Sequence, residues 1–179
     1  MRLYHYIAKG NDAPTRGILS IAENPNADIS YYLKRSGETT HAGVVRWMES
    51  CFEGRSRTVR GFSEPIKWHE RSLSLKRFVE NADLFAIDAS AMERDGLIDA
   101  VYKSPAVIVK NADDAASLPR DVDEELVRLG SVADIDTAPV DWAPCNDDLG
   151  LRFAVVPYYL LIVRGGIVPP DYISLVTPS

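Results

Sequence analysis

The feature that most constrains the fold is a long apolar run near the C-terminus, RFAVVPYYLLIV over residues 152–163. β-Branched and aromatic residues dominate it, a composition typical of a strand with a buried face. Arg164-Gly165-Gly166 follows, and glycine permits the dihedral angles that tight turns need. Residues 167–168 and 172–176 then continue as short strands. The pattern predicts a terminal β-hairpin.

Helical signals lie earlier in the chain. Asp28 or Ser30 is suited to begin a helix through Tyr31 and Tyr32 that ends at Gly37. Thr39 or Thr40 then precedes a second helix that Gly54 stops. Its apolar residues recur at spacings of three and four, as expected of one helix face: Val44, Val45, Met48, Cys51 and Phe52.

Further strands are predicted at residues 3–8 and 84–88, and residues 100–109 predict two short strands or one strand broken at Ser104-Pro105. We predict a short helix or turn at residues 92–96, a helix at 121–129 and a polar, basic link at 55–60. Early helices and late strands without regular alternation predict an α+β fold, with the helices packed on a mainly antiparallel sheet. The length of 179 residues is typical of one domain spanning residues 1–179.

Charge is distributed unevenly along the chain. The formal net charge is −6, whereas residues 34–77 carry ten Lys/Arg against five Asp/Glu. Residues 112–150 carry eleven Asp/Glu and two arginines. With its prolines, the region at about 110–150 predicts an acidic excursion over the surface. One function that fits it is a non-catalytic interaction module, of the immunity or adaptor kind, that contacts a basic partner through residues 112–150.

Several other classes of protein are disfavoured. An acidic balance opposes general nucleic-acid binding, although Arg55, Arg57 and Arg60 keep that alternative open. The N-terminus lacks the apolar core of a signal peptide, and no apolar run approaches the length of a membrane span, so we expect a cytoplasmic protein. Cysteines and histidines show no zinc spacing, and we predict no metal.

Three groups of residues could carry chemistry. His5 lies between Tyr4 and Tyr6 in the first predicted strand. It could contact a ribose hydroxyl, or it could be a half-buried histidine that the backbone satisfies. The adjacent Tyr31 and Tyr32 could stack on a ligand, or they could simply pack on the protein.

The third group follows the basic link. Arginine forks suit phosphate, so Arg60 is a candidate for an anionic ligand, with Ser63 and Glu64 next to it. Glu64 could hydrogen-bond a sugar or stabilise a developing cation. Alternatively, the arginines form a solvated loop, and Glu64 caps a helix or pairs with one of them.

Three segments resemble parts of the ADP-ribosyltransferase-like family: LYHYI with GILS, GFSEPI, and YYLLIVRGGIVPPDYI. The resemblance implies an enzyme that binds NAD as a substrate and transfers ADP-ribose to a protein or nucleic-acid acceptor. It implies that His5 contacts the NAD ribose and that Tyr31 or Tyr32 flanks the nicotinamide. We expect Arg60 to meet the pyrophosphate and Ser63 to lie beside the cofactor.

The family also places a catalytic glutamate on a late strand, and here the chain departs from it. Residues 157–160 of this chain are Pro-Tyr-Tyr-Leu. Glu64 is the substitute that we predict for the missing carboxylate, acting with His5. A carboxylate near the sugar would stabilise the positive charge that develops as the bond to nicotinamide breaks.

Overall fold

The structure is a computed structural model that describes residues 1–65, 80–109, 126–137, 144–146 and 152–177. Ten strands and four α-helices lie in these ranges. In chain order they are β1 (Arg2–Ala8), α1 (Ala13–Arg16), β2 (Ile18–Leu19), α2 (Ser30–Ser36), α3 (His41–Cys51), β3 (Thr58–Gly61), β4 (Ala82–Asp88), α4 (Ala89–Arg94), β5 (Ile98–Val109), β6 (Val127–Leu129), β7 (Pro144–Asn146), β8 (Arg152–Val163), β9 (Ile167–Val168) and β10 (Ile173–Leu175).

Strand β8, the apolar run of the sequence, is the centre of the larger sheet. It pairs with β5 along its length on one side, and with β7 and β3 on the other, while β6 extends the sheet beyond β5. Strand β5 is one continuous strand through Ser104 and Pro105. Pro105 lies opposite Pro157, so the two missing N–H groups fall on a single rung of the ladder.

A smaller sheet has the order β1-β4-β10, and β2 pairs separately with β9. All of these pairings are antiparallel. The hydrophobic core joins the two larger sheets, with one face of β8 opposite the inward residues of β1 and β4. Its largest fully buried members are Tyr159, Phe85, Leu3, Ile87, Met92 and Leu161.

The two predicted early helices are confirmed, with two corrections: Ile29 precedes α2 and provides no side-chain cap, and α3 ends at Cys51, three residues before Gly54. Helix α2 ends at Gly37, whose φ of 73° is a left-handed conformation that favours glycine. Thr40 caps α3, because its side chain accepts a hydrogen bond from the Gly43 N–H. Val44 and Met48 of the predicted apolar face are buried.

The predicted terminal hairpin is wrong. Strand β8 does not turn back on itself: β9 pairs with β2, and β10 pairs with β4 in the other sheet. Gly165 and Gly166 both have positive φ, 73° and 72°, and this pair redirects the chain out of the plane of the larger sheet. The turn itself was predicted, but its destination depends on partners that are distant in sequence.

Two other local predictions are corrected. The polar link at residues 55–60 contains a 3₁₀ turn at Arg55–Arg57 followed by β3. The end of the helix predicted at residues 121–129 is strand β6, since pairing with β5 outweighs local helix propensity. Residues 121–125, like most of the predicted acidic excursion at 110–150, lie outside the described residues.

The fold is α+β, with helices α1 to α3 early in the chain and antiparallel sheets. One domain spanning residues 1–179 stays a prediction. No helix in the described ranges has the length and apolarity to cross a membrane.

The contact between β1 and β3 leads to a first prediction. A Cβ on Gly61 would lie 2.8 Å from the Leu3 Cβ and 3.1 Å from its Cδ1. We therefore expect Gly61→Ala to lower the free energy of unfolding by about 1–3 kcal/mol, as overpacking of a core does. Urea denaturation measures this.

The double variant Gly61→Ala/Leu3→Ala is the control. Leu3→Ala alone removes a fully buried side chain and is expected to cost about 3–5 kcal/mol. In the double variant the alanine at position 3 keeps its Cβ, but the contact with the Leu3 Cδ1 is gone and the new methyl group partly fills the space that Cγ and the Cδ atoms leave, so the loss should be smaller than the sum. Additive losses would show that the Leu3 side chain beyond Cβ contributes nothing to the overpacking.

Candidate functional site

The candidate site begins where the two sheets meet. The Tyr4 N–H donates to the Phe62 carbonyl and the Phe62 N–H donates to the Tyr4 carbonyl, both at 2.8 Å. The ring of Tyr6 adds an edge-on contact with Phe62, at 6.3 Å between centroids. This bridge holds β1 beside the segment that follows β3.

His5, next to the bridge, is bound to the backbone of β3. Its Nδ1 lies 2.5 Å from the carbonyl oxygen of Arg60. Because a carbonyl oxygen only accepts, Nδ1 carries the proton and donates it, which leaves the lone pair of the neutral ring on Nε2. The backbone contact is the one foreseen for a half-buried histidine. A ribose contact through Nε2 stays a prediction.

The surroundings of His5 keep its ring neutral. Burial lowers its pKa from 6.5 to about 4, and the positive charge of Arg60 acts in the same direction. The hydrogen bond to the Arg60 carbonyl raises the pKa and is weaker than the effect of burial, while the charge of Arg60 is the smallest of the three influences. At neutral pH, Nε2 is therefore available as a hydrogen-bond acceptor.

Arg60 is held on an aromatic ring. Its guanidinium carbon lies 4.4 Å from the ring centroid of Tyr158 on β8, and that tyrosine is 5% exposed. Arg60 itself is exposed. Within the part of the chain that the structure describes, no carboxylate forms an ion pair with it. Sequence reasoning missed Tyr158 as a partner, because the register that brings it to Arg60 is set by strand pairing.

Ser63 and Glu64 directly follow Phe62 and are both half-buried. The bridge from Phe62 to Tyr4 therefore keeps them close to the strand that carries His5. Four of the six predicted site residues come from these two segments. They are His5, Arg60, Ser63 and Glu64.

The two predicted aromatic residues lie on another element, α2, which packs on α3. The rings of Tyr31 and Tyr32 meet edge to face at 5.2 Å. Tyr31 is 59% exposed, and its hydroxyl accepts a hydrogen bond from Arg35 at 3.0 Å. Tyr31 thus presents an open ring, as a stacking residue requires, while its role in a site stays a prediction.

The other two arginines of the basic segment have structural partners, so the alternative of a solvated loop does not hold for them. Arg55 is 5% exposed and lies over the rings of Trp47 and Phe52, at 4.8 and 5.8 Å. Arg57 donates to Asp99 at 2.9 Å. Of the three arginines, Arg60 has the position best suited to an external anion.

Asp99 is a structural residue that the sequence did not reveal. It accepts from Arg57 and from Arg164, the latter at 3.1 and 2.8 Å, and so links the starts of β3 and β5 to the end of β8. The hydrogen bonds from Arg164, followed by those from Arg57, lower the pKa of Asp99. The described residues contain no group of three or more His, Cys, Asp or Glu side chains placed to hold a metal ion.

Comparisons with protein-family models, with curated proteins and with solved structures found no match to this chain. The site is therefore defined by its own geometry, which brings a neutral imidazole and a guanidinium to one junction between two sheets, with Ser63 and Glu64 next in the chain after the bridged Phe62.

The lowered pKa of His5 predicts how stability depends on pH. Between pH 6.5 and 4 the unfolded chain binds a proton at His5 and the folded chain does not, so acid favours unfolding. From pH 7.5 to 5.0 this contribution amounts to at most about 2 kcal/mol. We expect His5→Gln to reduce the acid-induced loss of stability by up to that amount.

Urea denaturation of both proteins at the two pH values measures the difference. The NMR titration of the His5 ring provides a check that does not depend on the variant, with a midpoint expected near pH 4. An ordinary midpoint near 6.5, together with equal acid sensitivity of the two proteins, would contradict the burial argument.

Proposed function

We propose that this protein is an NAD-dependent mono-ADP-ribosyltransferase that modifies a macromolecular acceptor, either a protein or a nucleic acid. The observation that carries the proposal is the junction of β1 with the end of β3. There, the hydrogen bond from His5 to Arg60 and the Tyr4–Phe62 bridge bring together residues that are more than fifty positions apart. The resemblance to the family assigns His5 to the NAD ribose, and Arg60 and Glu64 are our own candidates for the pyrophosphate contact and the carboxylate.

The imidazole of His5 suits a ribose. Its Nδ1–H is already bound to the Arg60 carbonyl, so Nε2 is the atom that faces a ligand, and it accepts hydrogen bonds. A ribose hydroxyl is a donor of the matching kind. In this proposal His5 orients the sugar, and Arg60 binds the pyrophosphate as a planar fork.

The proposed reaction breaks the bond between ribose C1 and the nicotinamide nitrogen, and nicotinamide leaves as a neutral molecule with the bonding electrons. A lone pair of the acceptor forms the new bond to C1, and the acceptor loses its proton. Positive charge develops on the sugar in the transition state, and the carboxylate of Glu64 stabilises it. Ser63 contacts the cofactor beside Glu64.

The first experiment measures NAD binding by calorimetry, followed by release of nicotinamide. NAD should raise the melting temperature, because a ligand of the folded state stabilises it. Glu64→Gln should lower nicotinamide release by at least about 100-fold, since a group that stabilises transition-state charge is lost. Glu53→Gln, the same change at an exposed position, should leave the rate unaltered.

Two results would contradict the proposal. One is a protein that neither binds NAD nor is stabilised by it, which would favour the interaction module that uses residues 112–150. The other is a Glu64→Gln variant with full activity. If that variant loses activity and also melts at a clearly lower temperature than the wild type, Glu64 has a structural role instead.

Tyr31 allows a separate prediction because its ring is largely exposed. Tyr31→Ala should leave the melting temperature nearly unchanged and weaken NAD binding by about tenfold, the effect of losing one stacking contact. Arg35→Met removes the hydrogen bond to the Tyr31 hydroxyl and keeps the ring, so its affinity should stay near that of the wild type. Unchanged binding in Tyr31→Ala would exclude this ring from the site.

A further inference from the structure

We propose that Tyr158 is a positioning residue, whose ring holds the Arg60 guanidinium in place as the receptor for a phosphate group of the ligand. The identity of that ligand as NAD rests on the proposed function. The contact of Arg60 with the Tyr158 ring and the affinity of Arg60 for phosphate are independent of that function.

Strand register explains how the two residues meet. Arg60 on β3 lies opposite Leu160 on β8, and Tyr158 precedes Leu160 by two residues, on the same face of the sheet. A long side chain reaches such a diagonal neighbour. The observed distance of 4.4 Å from guanidinium to ring centroid is that of a close cation–π contact.

The ring provides a rigid support. Tyr158 is 5% exposed, so its position is fixed by packing, whereas Arg60 is exposed. The backbone of Arg60 is fixed as well, by pairing with β8 and by the hydrogen bond from His5. The guanidinium carbon therefore lies over a fixed ring, while the exposure of Arg60 leaves the side chain accessible to an anion.

Several arginines of the described residues pair with aspartates, and Arg60, like Arg46, does not. Arg57 and Arg164 share Asp99, while Arg16 and Arg94 pair with aspartates close in sequence. Arg60 has no such carboxylate among the described residues. A fixed, uncompensated and accessible guanidinium favours an anion of matching planar geometry, and phosphate binds arginine through two parallel hydrogen bonds.

The ring should contribute to affinity by preorganisation, because a mobile arginine loses rotamer freedom when it binds an anion. The chemical requirement is an aromatic face, which the tyrosine hydroxyl does not provide. We therefore expect Tyr158→Phe to retain the effect of the ring on affinity and Tyr158→Leu to lose it.

The test measures the affinity of Tyr158→Phe and Tyr158→Leu for NAD and for inorganic pyrophosphate by calorimetry. We expect Tyr158→Phe to bind both within about twofold of the wild type and Tyr158→Leu to bind both about tenfold more weakly. In an Arg60→Met background, Tyr158→Leu should cause no further loss, because the ring acts through Arg60. Arg46→Met, at an exposed position on α3, is the matched arginine control and should bind normally.

A structural readout accompanies the affinities. The Arg60 Nε–H proton should show an upfield NMR shift from the ring in the wild type and in Tyr158→Phe, and lose it in Tyr158→Leu. Arg60→Lys keeps the charge without the planar fork and should also weaken pyrophosphate binding. That variant leaves the buried tyrosine intact and tests the guanidinium separately from the ring. If Tyr158→Leu does not fold, the presence or absence of the upfield shift in the wild type decides whether the ring holds Arg60.

The outcomes separate this inference from the proposed function. If the wild type binds pyrophosphate through Arg60 and Tyr158 but does not bind NAD, the stacked receptor stands and the transferase proposal fails. Equal damage by phenylalanine and leucine would overturn the role of the ring. A wild type that binds neither anion, or an Arg60→Lys variant that binds pyrophosphate normally, would overturn the inference as a whole.

Discussion

The two hydrogen bonds between Tyr4 and Phe62 are the interaction on which the candidate site depends, because they join the smaller sheet to the larger one. Their formation requires close approach of the strands, which Gly61 permits by leaving room for Leu3. Once the strands are joined, His5 reaches the carbonyl of Arg60, and Ser63 and Glu64 follow directly on the bridged residue Phe62. The same contact between the two sheets therefore supports both the packing of the core and the geometry of the site.

The arginines of the basic segment show why similar residues a few positions apart have different roles. Arg55 lies in a 3₁₀ turn and is buried against aromatic rings, Arg57 closes that turn and pairs with Asp99, and Arg60 lies within a strand. The change from turn to strand at Thr58 rotates the side chains onto different surroundings. Spacing in the sequence gives no indication of this change.

The features that could be predicted from the sequence are those that residues close together in the chain determine. Residue types close in the sequence determine three of these features. They are the cap at Thr40, the end of α2 at Gly37 and the strand β8. Three other features depend on which strands pair and in which register. They are the partners of β9 and β10, the continuity of β5 and the contact of Arg60 with Tyr158. For the site, the residue types were visible, but the proximity of His5 to Arg60 followed only from the hypothesis that both bind NAD.

The burial of β8 provides a physical reason why this strand carries no glutamate. The described part of this strand is buried on both faces, with Tyr159 and Leu161 in the core and Tyr158 and Leu160 on the opposite side. An ionised carboxylate there would lose its hydration without an obvious compensating charge, apart from Arg60, and desolvation would favour its neutral form. A carboxylate that must stay charged to stabilise a sugar cation is better placed on a half-buried segment at the end of a strand. Glu64 occupies such a position, three residues beyond the end of β3, so a transferase built on this sheet is physically consistent with a carboxylate from that segment.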